Sequence, residues 1–333
     1  MTELLRAGVI GLGMMGRHHA RVLAAMDGVD LVGVCDSAGD PNRASAGAPV
    51  FVDPGALLDR GLDLVVVATP TADHAGLALE AASHGINALI EKPLATTVAE
   101  GEAVVEAFGK AGLIGAVGHV ERCNPAIRAL AAHLANGELG AVYQISTSRQ
   151  GPFPDRIRDV GVVKDLATHD IDATAFVSGQ RFASVAARTA HRAGRPHEDL
   201  VAVLGSLADG TVTNHLVNWL TPTKERRLTV TGERGCFVAD TVTADLTWFA
   251  NASVPTEWDA IAGFRGVSEG DMIRYAIPKP EPVAVQMQHV VASVRAGAPV
   301  ESVVTLSDGL EVLRVAEAVL ESAATGLSVT VPR

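Results

Sequence analysis

The sequence predicts an α/β protein in which a doubly wound parallel sheet is followed by a second α/β domain, and three observations support this fold class. Short apolar stretches alternate with helical segments between residues 7 and 120. A glycine-rich turn joins the first of these strands to the first helix. From residue 199 to residue 250 apolar and polar residues alternate, which is typical of antiparallel strands. The chain of 333 residues is also longer than most single hydrophobic cores, so two domains are expected.

The composition excludes several classes of function. Hydrophobic residues make up 48% of the chain and charged residues 20%, as in an ordinary globular protein. The formal net charge of −11 repels phosphate backbones and anionic lipids, so neither nucleic acid nor a membrane surface is expected as a partner. The N-terminus lacks the pattern of a secretion signal, and no apolar run reaches the ~18 residues of a membrane span. The three cysteines are widely spaced, so we expect a cytoplasmic protein without disulfides.

The first domain is predicted over residues 1–121 from its alternating elements. Apolar stretches predict strands at 7–13, 30–36, 63–70, 87–93 and 113–120. Helical segments separate them at 17–26, 73–84 and 97–112. The third helix carries both boundary signals, because Thr97 and Glu100 have capping-box spacing and Gly112 stands at its end. Buried strands that alternate with helices indicate a parallel sheet covered on both faces.

The turn after the first strand has the spacing of a dinucleotide-binding loop. Gly11, Gly13 and Gly16 match G-x-G-x-x-G, with Met14 and Met15 between the last two glycines. The first glycine permits a tight turn, the second lets a pyrophosphate approach the backbone, and the third lets the helix pack closely on the strand. A Rossmann domain is therefore predicted, with the pyrophosphate at the N-terminus of the first helix.

Asp36 bears on the choice of cofactor. It lies 20 residues after Gly16, at the end of the second strand, where an acid accepts hydrogen bonds from the adenosine ribose. A carboxylate there repels the 2′-phosphate of NADP, and the next residue is Ser37 and not arginine. NAD is therefore the predicted cofactor, although Arg43 is near enough in sequence to leave NADP open.

Two further stretches follow strands of the predicted sheet, at the edge where open α/β sheets bind ligands. The stretch ATPTADH contains Thr69, Pro70 and His74, and EKP contains Glu91 and Lys92. A lysine after an apolar strand is commonly a solvated strand end. At this edge it is expected to lie in the cofactor crevice, so all five residues are candidate cofactor contacts.

Five motifs occur in order: GLGMMGRHH, ATPTADH, EKPLA, GHVERCNPA and DLATHDID. With these motifs the chain, from about residue 7 to past residue 300, resembles the Gfo/Idh/MocA oxidoreductase family. The resemblance implies a C-terminal α/β domain over residues 122–333, built on a large, mostly antiparallel open sheet. It implies a homodimer or homotetramer, since the open face commonly supports assembly in such proteins. It also implies that Lys92, Asp165 and His169 are catalytic.

Three stretches resemble one branch of that family more closely. GHVERCNPA, GVVKDLATHDID and residues 218–235 are similar to nucleotide-sugar 3-dehydrogenases, such as those that act on UDP-N-acetylglucosamine. Other members oxidise inositols or free sugars, and some reduce 3-keto sugars. Cys123 departs from the pattern, because an aromatic residue is expected at this position.

The elements of the second domain are predicted from its caps and periodicity. A helix within 122–140 begins after Asn124, with Pro125 in its first turn. The remaining predicted elements are a strand at 141–150, a charged loop at 151–159, a helix within 162–179, antiparallel strands within 199–250, a long loop at 261–282 and a final helix at about 305–324.

The helix after the charged loop carries several ionisable groups. At about 100° per residue, Asp165, His169 and Asp172 share one face, whereas Asp170 points elsewhere and is predicted to be solvated or capping. A metal site and a merely solvated face are alternatives to a proton-transfer site. No further cluster has ligand spacing and alcohol oxidation by NAD needs no metal, so no metal is predicted.

A proton-transfer site agrees best with the family resemblance. Oxidation of a secondary alcohol requires a group that accepts the hydroxyl proton, and histidine titrates near neutral pH. Asp165 would orient the His169 ring, and Lys92 would hydrogen-bond the same oxygen and stabilise its developing charge. Whether Lys92 or His169 takes the proton first is left open.

A nucleotide-sugar substrate would need cations for its diphosphate, whereas a free sugar would not. The candidate substrate contacts are His119, Arg122, Asn124, Arg156, Arg158, Asp165 and His169. The predicted function is an NAD-dependent oxidoreductase acting on a sugar secondary alcohol, with C3 of a nucleotide sugar as the expected position. The alternatives are a dehydrogenase of a free sugar or inositol, an NAD(P)H-dependent 3-ketosugar reductase, and a non-catalytic cofactor-binding regulator.

Overall fold

The computed structural model describes residues 4–154, 160–252, 269–300 and 303–332. The helices are α1 (Met14–Ala24), α2 (Pro54–Leu58), α3 (Thr71–Ser83), α4 (Val98–Ala111), α5 (Pro125–Ala135), α6 (Thr168–Ser178), α7 (Pro282–Ala296) and α8 (Leu306–Thr325). The strands are β1 (Leu5–Ile10), β2 (Val29–Cys35), β3 (Val50–Phe51), β4 (Leu64–Val67), β5 (Asn87–Ile90), β6 (Gly115–Val117), β7 (Val142–Pro152), β8 (Phe182–Ala190), β9 (Leu200–Leu207), β10 (Val212–Asn218), β11 (Leu220–Gly232), β12 (Gly235–Asp240), β13 (Asp245–Asn251), β14 (Glu269–Arg274) and β15 (Val329–Thr330). None of the helices described is long and apolar enough to cross a membrane.

The chain divides into two compact units whose bounds differ from those of the predicted domains. The first unit contains residues 1–123 and also 280–317, and the second contains 124–279 and 318–332. Residues 280–317 pack with the first unit because α7 carries Met287, Val290 and Val291 into the same apolar core as Leu23 of α1. Helix α7 is not among the elements predicted from the sequence, and an apolar helix face would not by itself show which distant element covers it.

The first unit is built on a six-stranded sheet in the order β3-β2-β1-β4-β5-β6, with every pairing parallel. This confirms the predicted doubly wound sheet. The order reverses direction between β1 and β4, which is the switch point where such sheets bind ligands. The predicted capping box of α4 is present, since the Thr97 side chain accepts from the Glu100 amide and the Glu100 carboxylate accepts in return. The helix then stops at Gly112, which has a left-handed φ of 65°.

The second unit is built on a nine-stranded sheet in the order β14-β13-β12-β11-β7-β10-β9-β8-β15. All its pairings are antiparallel except that of β7 with β10, so the predicted mostly antiparallel sheet is confirmed. One face buries apolar side chains such as Ile145, Val230 and Phe237. The other face leaves large apolar residues exposed, among them Leu204 and Met272.

Some predicted boundaries differ from the structure. The strand predicted at 113–120 is only three residues long, because a short 3₁₀ turn, Val120–Cys123, follows β6. The helix predicted within 122–140 ends at Ala135. Part of the loop predicted at 261–282 is β14, paired with β13, and residues 261–268 lie outside the described residues.

Candidate active site

The glycine turn after β1 has close approaches that only glycine allows. Gly11 has a φ of +93°, and a Cβ there would lie 2.5 Å from the Ala68 carbonyl oxygen. A Cβ at Gly16 would lie 1.7 Å from the Gly11 carbonyl oxygen, so this glycine lets α1 pack against the turn. A Cβ at Gly13 would meet no atom within 4 Å. The space beside Gly13 is therefore open, as the close approach of a pyrophosphate requires.

Helix α1 begins directly at this turn. Gly13 is its N-cap, and none of the side chains described here caps it. Met14 and Met15 form the start of the first turn, and Met14 is exposed. The amides of this turn and the positive end of the helix dipole favour a bound phosphate group.

Asp36 fixes the glycine turn to the end of β2. One carboxylate oxygen accepts from the Leu12 amide at 2.8 Å, and the other accepts from the Ala38 amide at 2.9 Å. The side chain is half-buried. Its hydrogen bond to the adenosine ribose stays a prediction, and its charge at this position disfavours a 2′-phosphate.

His74 links two of the loops that follow the strands. The ring is 1% exposed, with Nδ1 2.8 Å from the Pro93 carbonyl oxygen and Nε2 3.0 Å from the Thr69 carbonyl oxygen. The Thr69 hydroxyl is buried and has no hydrogen-bond partner among the described residues, whereas Pro70 is exposed. The contacts of these residues with the cofactor stay predictions, and the structure gives His74 a role in joining the loops.

The EKP motif follows β5, and its acid points into the unit. Glu91 is 6% exposed, with Oε1 2.7 Å from Nε2 of His19 on α1, and its Oε2 accepts from the Lys92 amide at 3.2 Å. Burial raises the pKa of Glu91, but the hydrogen bond of His19, the charge of Lys92 and the hydrogen bond of the Lys92 amide help to outweigh it and leave that pKa below its usual range. Lys92 itself is half-buried. The sequence did not single out His19.

Three predicted substrate contacts lie close to the boundary between the two units in the sequence, and the structure shows their burial or their contacts within one unit. His119 is 1% exposed in the first unit. Arg122 lies in the same unit, with Nη1 3.4 Å from Oδ2 of Asp308, and its side chain is only 12% exposed. Asn124 caps α5 in the second unit and donates from Nδ2 to the Thr241 carbonyl oxygen at 3.0 Å. Contacts of these residues with a sugar stay predictions.

Asp165 lies in a single turn of π-helix, Val163–Ala167, which precedes α6. The Thr168 amide donates to the Val163 carbonyl oxygen, five residues back. The step of about 100° per residue assumed from the sequence belongs to an α-helix and does not hold across this turn, so that part of the prediction is wrong. Asp165 is 4% exposed and His169 is half-buried. Single π turns within helices are frequent at functional sites.

The prediction that Asp170 is solvated or capping is also wrong. The residue is 3% exposed, and its Oδ1 lies 3.0 Å from Nε of Arg149 on β7. A buried carboxylate is retained where a cation or hydrogen-bond donors compensate its charge. Because Asp170 follows His169 directly, this ion pair fixes the start of α6 against the sheet. The sequence does contain a signal for this ion pair, because Arg149 stands at an inward-facing position of a strand whose side chains alternate between the two faces.

Glu198 is a further residue that the sequence did not single out. Its Oε1 accepts from the Val163 amide at 3.0 Å, and its backbone oxygen accepts from the Val162 amide at 2.9 Å. A Cβ at Gly161 would lie 2.0 Å from this carboxylate. Glu198 therefore fixes the beginning of the π turn. No local pattern signals it, because the two segments are far apart in sequence.

Arg156 and Arg158 lie outside the described residues. Another arginine of the second unit, Arg195, has its guanidinium 4.0 Å from the centre of the Phe153 ring and 5.0 Å from that of Trp219. Trp219 is buried. Stacking on aromatic rings holds a guanidinium in one orientation.

Two protein-family descriptions match the chain. Residues 5–119 match the oxidoreductase family with an NAD-binding Rossmann fold, and residues 127–238 match the GFO/IDH/MocA C-terminal domain. Within the described ranges, no group of three or more His, Cys, Asp or Glu side chains could hold a metal ion.

Individual relatives agree with this match. The chain is 32% identical over 231 residues to UDP-N-acetylglucosamine 3-dehydrogenase of Acidithiobacillus ferrooxidans, which covers 68% of this chain and 71% of the relative. A solved structure of UDP-N-acetylglucosamine 3-dehydrogenase GnnA from that organism has a TM-score of 0.82 at 26% identity and covers 96% of this chain and 98% of that one. GenD2 from gentamicin A biosynthesis, solved with NAD, has a TM-score of 0.82 at 27% identity and covers 100% and 98%. The scyllo-inositol 2-dehydrogenase (NAD(+)) of Bacillus subtilis is 31% identical over 199 residues, or 56% of this chain and 57% of the relative.

The glycine turn, the open space at Gly13 and these matches together define an NAD-binding dehydrogenase that acts on CH–OH groups. The chain belongs to the Gfo/Idh/MocA oxidoreductase family. The relatives named above are dehydrogenases of a nucleotide sugar and of an inositol.

Proposed function

We propose that this protein oxidises the ring C3 hydroxyl of a nucleotide sugar, such as UDP-N-acetylglucosamine, with NAD as the oxidant. The observation that supports it best is the similarity to UDP-N-acetylglucosamine 3-dehydrogenase, at 32% identity over 68% of this chain. The chain also retains the lysine of EKP and the Asp165 and His169 pair, which a non-catalytic regulator would not need.

The proposed chemistry assigns one role to each of three residues. The secondary alcohol loses its hydroxyl proton and a hydride from the same carbon, and becomes a ketone. NAD, when bound, accepts the hydride. His169 accepts the proton, because imidazole suits general base catalysis near neutral pH. Asp165 orients the ring, and Lys92 donates a hydrogen bond to the oxygen as negative charge develops there.

A dehydrogenase of a free sugar or inositol is the second candidate. The similarity to the scyllo-inositol 2-dehydrogenase of Bacillus subtilis, at 31% identity, favours it. Such a substrate has no diphosphate and needs no arginine set. A 3-ketosugar reductase would run the same hydride transfer in reverse, with reduced cofactor.

The same proposal assigns arginine side chains to bind the diphosphate of the nucleotide sugar. Arg156 and Arg158 are the sequence candidates, and Arg195 joins them because it stacks on Phe153, just before the segment that carries both. A guanidinium suits a diphosphate because its fork of donors matches two phosphate oxygens.

We also propose that the protein forms a homodimer or homotetramer through the open face of the nine-stranded sheet. This face exposes 62% of Leu204, 40% of Phe249 and 67% of Met272. Exposed apolar patches of this kind commonly mark protein–protein interfaces.

The test is NADH formation by the purified protein with NAD and, in parallel, UDP-N-acetylglucosamine, myo-inositol and glucose. Turnover with the nucleotide sugar alone is expected, and Arg195→Ala should raise KM for it. Activity with a free polyol or sugar alone would contradict the nucleotide-sugar proposal. If no substrate is oxidised, reduction of a 3-keto sugar with NADH and NADPH tests the reverse direction.

Variants test the assignment of roles in whichever reaction is found. Lys92→Met and His169→Ala are expected to lower kcat by about a thousandfold or more while NAD still binds, because each removes an interaction with the reacting oxygen. Loss of NAD binding without any other defect would contradict these roles.

A further inference from the structure

The Glu91 carboxylate is enclosed by three parts of the first unit. Nε2 of His19, on α1, lies 2.7 Å from Oε1, and both side chains are almost fully buried. The Lys92 amide donates to Oε2 at 3.2 Å. Behind the carboxylate lies Gly118, where a Cβ would come within 2.8 Å of the carboxylate carbon. This enclosure leaves the carboxylate in contact with protein and not with an open cofactor cleft.

His19 directs its hydrogen bonding at Glu91. An ionised carboxylate can only accept hydrogen bonds, so Nε2 of His19 carries the proton and donates it in the hydrogen bond to Glu91. The other ring nitrogen, Nδ1, is buried and has no hydrogen-bond partner among the residues described. A donor in a buried site of low dielectric interacts more strongly with a carboxylate than it would in water. His19 and Glu91 therefore depend on each other.

The backbone around Lys92 is fixed on both sides. The Glu91 amide donates to the Val67 carbonyl oxygen at 2.8 Å, and the Gly118 amide donates to the Ile90 carbonyl oxygen at 2.7 Å. On the far side of Lys92, the Pro93 carbonyl oxygen lies 2.8 Å from Nδ1 of His74. The Glu91 side chain adds the bond to the Lys92 amide itself, so the lysine extends from a backbone with little freedom.

We propose that Glu91 and His19 are positioning residues for Lys92, and that Glu91 is not a contact of the cofactor. The buried carboxylate holds the amide of Lys92 and places a negative charge next to it, and His19 holds the carboxylate. The catalytic part of this assignment rests on the proposed function, in which Lys92 hydrogen-bonds the reacting oxygen.

Glu91→Gln is the first test, because glutamine has almost the same shape without the charge. Its single carbonyl oxygen cannot accept from both His19 and the Lys92 amide in the wild-type geometry. With a substrate that the wild type oxidises, kcat should fall about 10- to 100-fold, as for other partners behind a reacting group, whereas Kd for NAD should stay within about twofold.

His19 supplies a second pair of variants. His19→Ala removes the donor and should lower kcat as Glu91→Gln does. His19→Gln retains a side-chain N–H donor and should recover at least half of that loss on a logarithmic scale. The double variant His19→Ala/Glu91→Gln should lose little more than either single variant, because the two residues act through one interaction.

A readout that needs no substrate separates this inference from the proposed function. We would measure amine-selective labelling of Lys92 by peptide mass spectrometry. In Glu91→Gln and His19→Ala the labelling rate at Lys92 should rise about threefold or more, because the lysine is no longer held in one environment. Glu106→Gln is the matched control, since Glu106 pairs with Lys110 at 2.6 Å on the exposed surface of the same unit. It should leave Lys92 labelling and kcat unchanged.

The outcomes are distinct. Faster labelling of Lys92 with unchanged NAD affinity supports the assignment, whichever substrate is eventually found. A Kd for NAD raised about tenfold or more, with unchanged labelling, would make Glu91 a cofactor contact and overturn it. Unchanged labelling and unchanged kcat would overturn it as well. If circular dichroism shows that Glu91→Gln is unfolded, the same readouts on His19→Ala decide.

Discussion

Two of the candidate catalytic side chains, Lys92 and His169, stand next to acids that are buried in different ways. Lys92 follows Glu91, whose carboxylate is held by a histidine from a helix. His169 precedes Asp170, whose carboxylate is held by an arginine from a strand. Arg149 is always charged and offers several donors, whereas His19 offers the one proton that this contact uses. The comparison indicates that the second unit depends on a permanent buried ion pair and the first on a single buried hydrogen bond.

The largest effect on stability is expected when the ion pair between Arg149 and Asp170 is broken. Arg149→Leu leaves the buried Asp170 without its counter-charge, which typically costs about 3–5 kcal/mol of unfolding free energy. Urea denaturation followed by circular dichroism measures it. Arg227→Leu, at a side chain that is 56% exposed on the same sheet, should change stability by less than about 1 kcal/mol.

A double variant sharpens this result. Arg149→Leu/Asp170→Asn should be more stable than Arg149→Leu alone, because the uncompensated charge is gone. Equal stabilities of the single and double variants would contradict a charge-based role for Arg149.

Acid is expected to lower the unfolding free energy of the second unit through a histidine on β10, the strand next to β7. Burial lowers the pKa of His215 on β10 from 6.5 to about 4, and its Nδ1 lies 2.8 Å from the Thr147 hydroxyl on β7. The unfolded chain therefore binds the proton first as pH falls. The stabilisation is fully present above about pH 6.5 and is lost progressively down to about pH 4, by about 3 kcal/mol in all. Urea titrations at several pH values measure it.

His215→Gln is the matching variant. Its stability should fall less steeply than that of the wild type over this range, whatever its stability at neutral pH. Parallel slopes for the two proteins would mean that another group causes the acid sensitivity.

A smaller effect is expected for the histidine that holds Glu91. His19→Ala leaves a buried acceptor without its donor, at a cost of about 1–3 kcal/mol. Denaturation under the conditions used for Arg149→Leu compares the two regions directly. If His19→Ala costs as much as Arg149→Leu, the distinction between a permanent ion pair and a single hydrogen bond is wrong.

The smallest effect on the fold is expected at the glycine turn. Gly13→Ala places its Cβ in open space, so the unfolding free energy should stay within about 0.5 kcal/mol of the wild type. Kd for NAD should rise about tenfold or more, because the added methyl group occupies the approach of the pyrophosphate. Isothermal calorimetry measures it, and unchanged affinity would argue against this turn as the pyrophosphate site. Gly76→Ala on α3, also open at its Cβ, is the control.

Much of the first unit was predictable, because its signals are local. Strands fully buried in a parallel sheet appear as apolar runs, and Thr97, Glu100 and Gly112 mark the ends of a helix through contacts within a few residues. The prediction for Asp170 was wrong because a charged residue on a helix is usually solvated. The arginine that compensates the charge of this carboxylate lies 21 residues away in sequence. The sequence also contains no sign of the π turn at Val163–Ala167, so the regular α-helical step assumed across Asp165 was wrong, whereas the shared face of Asp165 and His169 stays a prediction.

The sequence by itself determined the main alternating strands and helices of the first unit, the glycine turn, the antiparallel character of the second sheet, and the residues that match the family motifs. These follow from periodicity, caps and spacing, which act over a few residues. Only the tertiary structure decided that residues 280–317 join the first unit, that Glu198 fixes the π turn, and that His19 and Arg149 hold the two buried acids. The physical reason is that a buried charge needs a counter-charge or hydrogen-bond donors, and an apolar face needs other apolar side chains packed against it. The groups that supply them are distant in sequence and are brought close only by the tertiary structure.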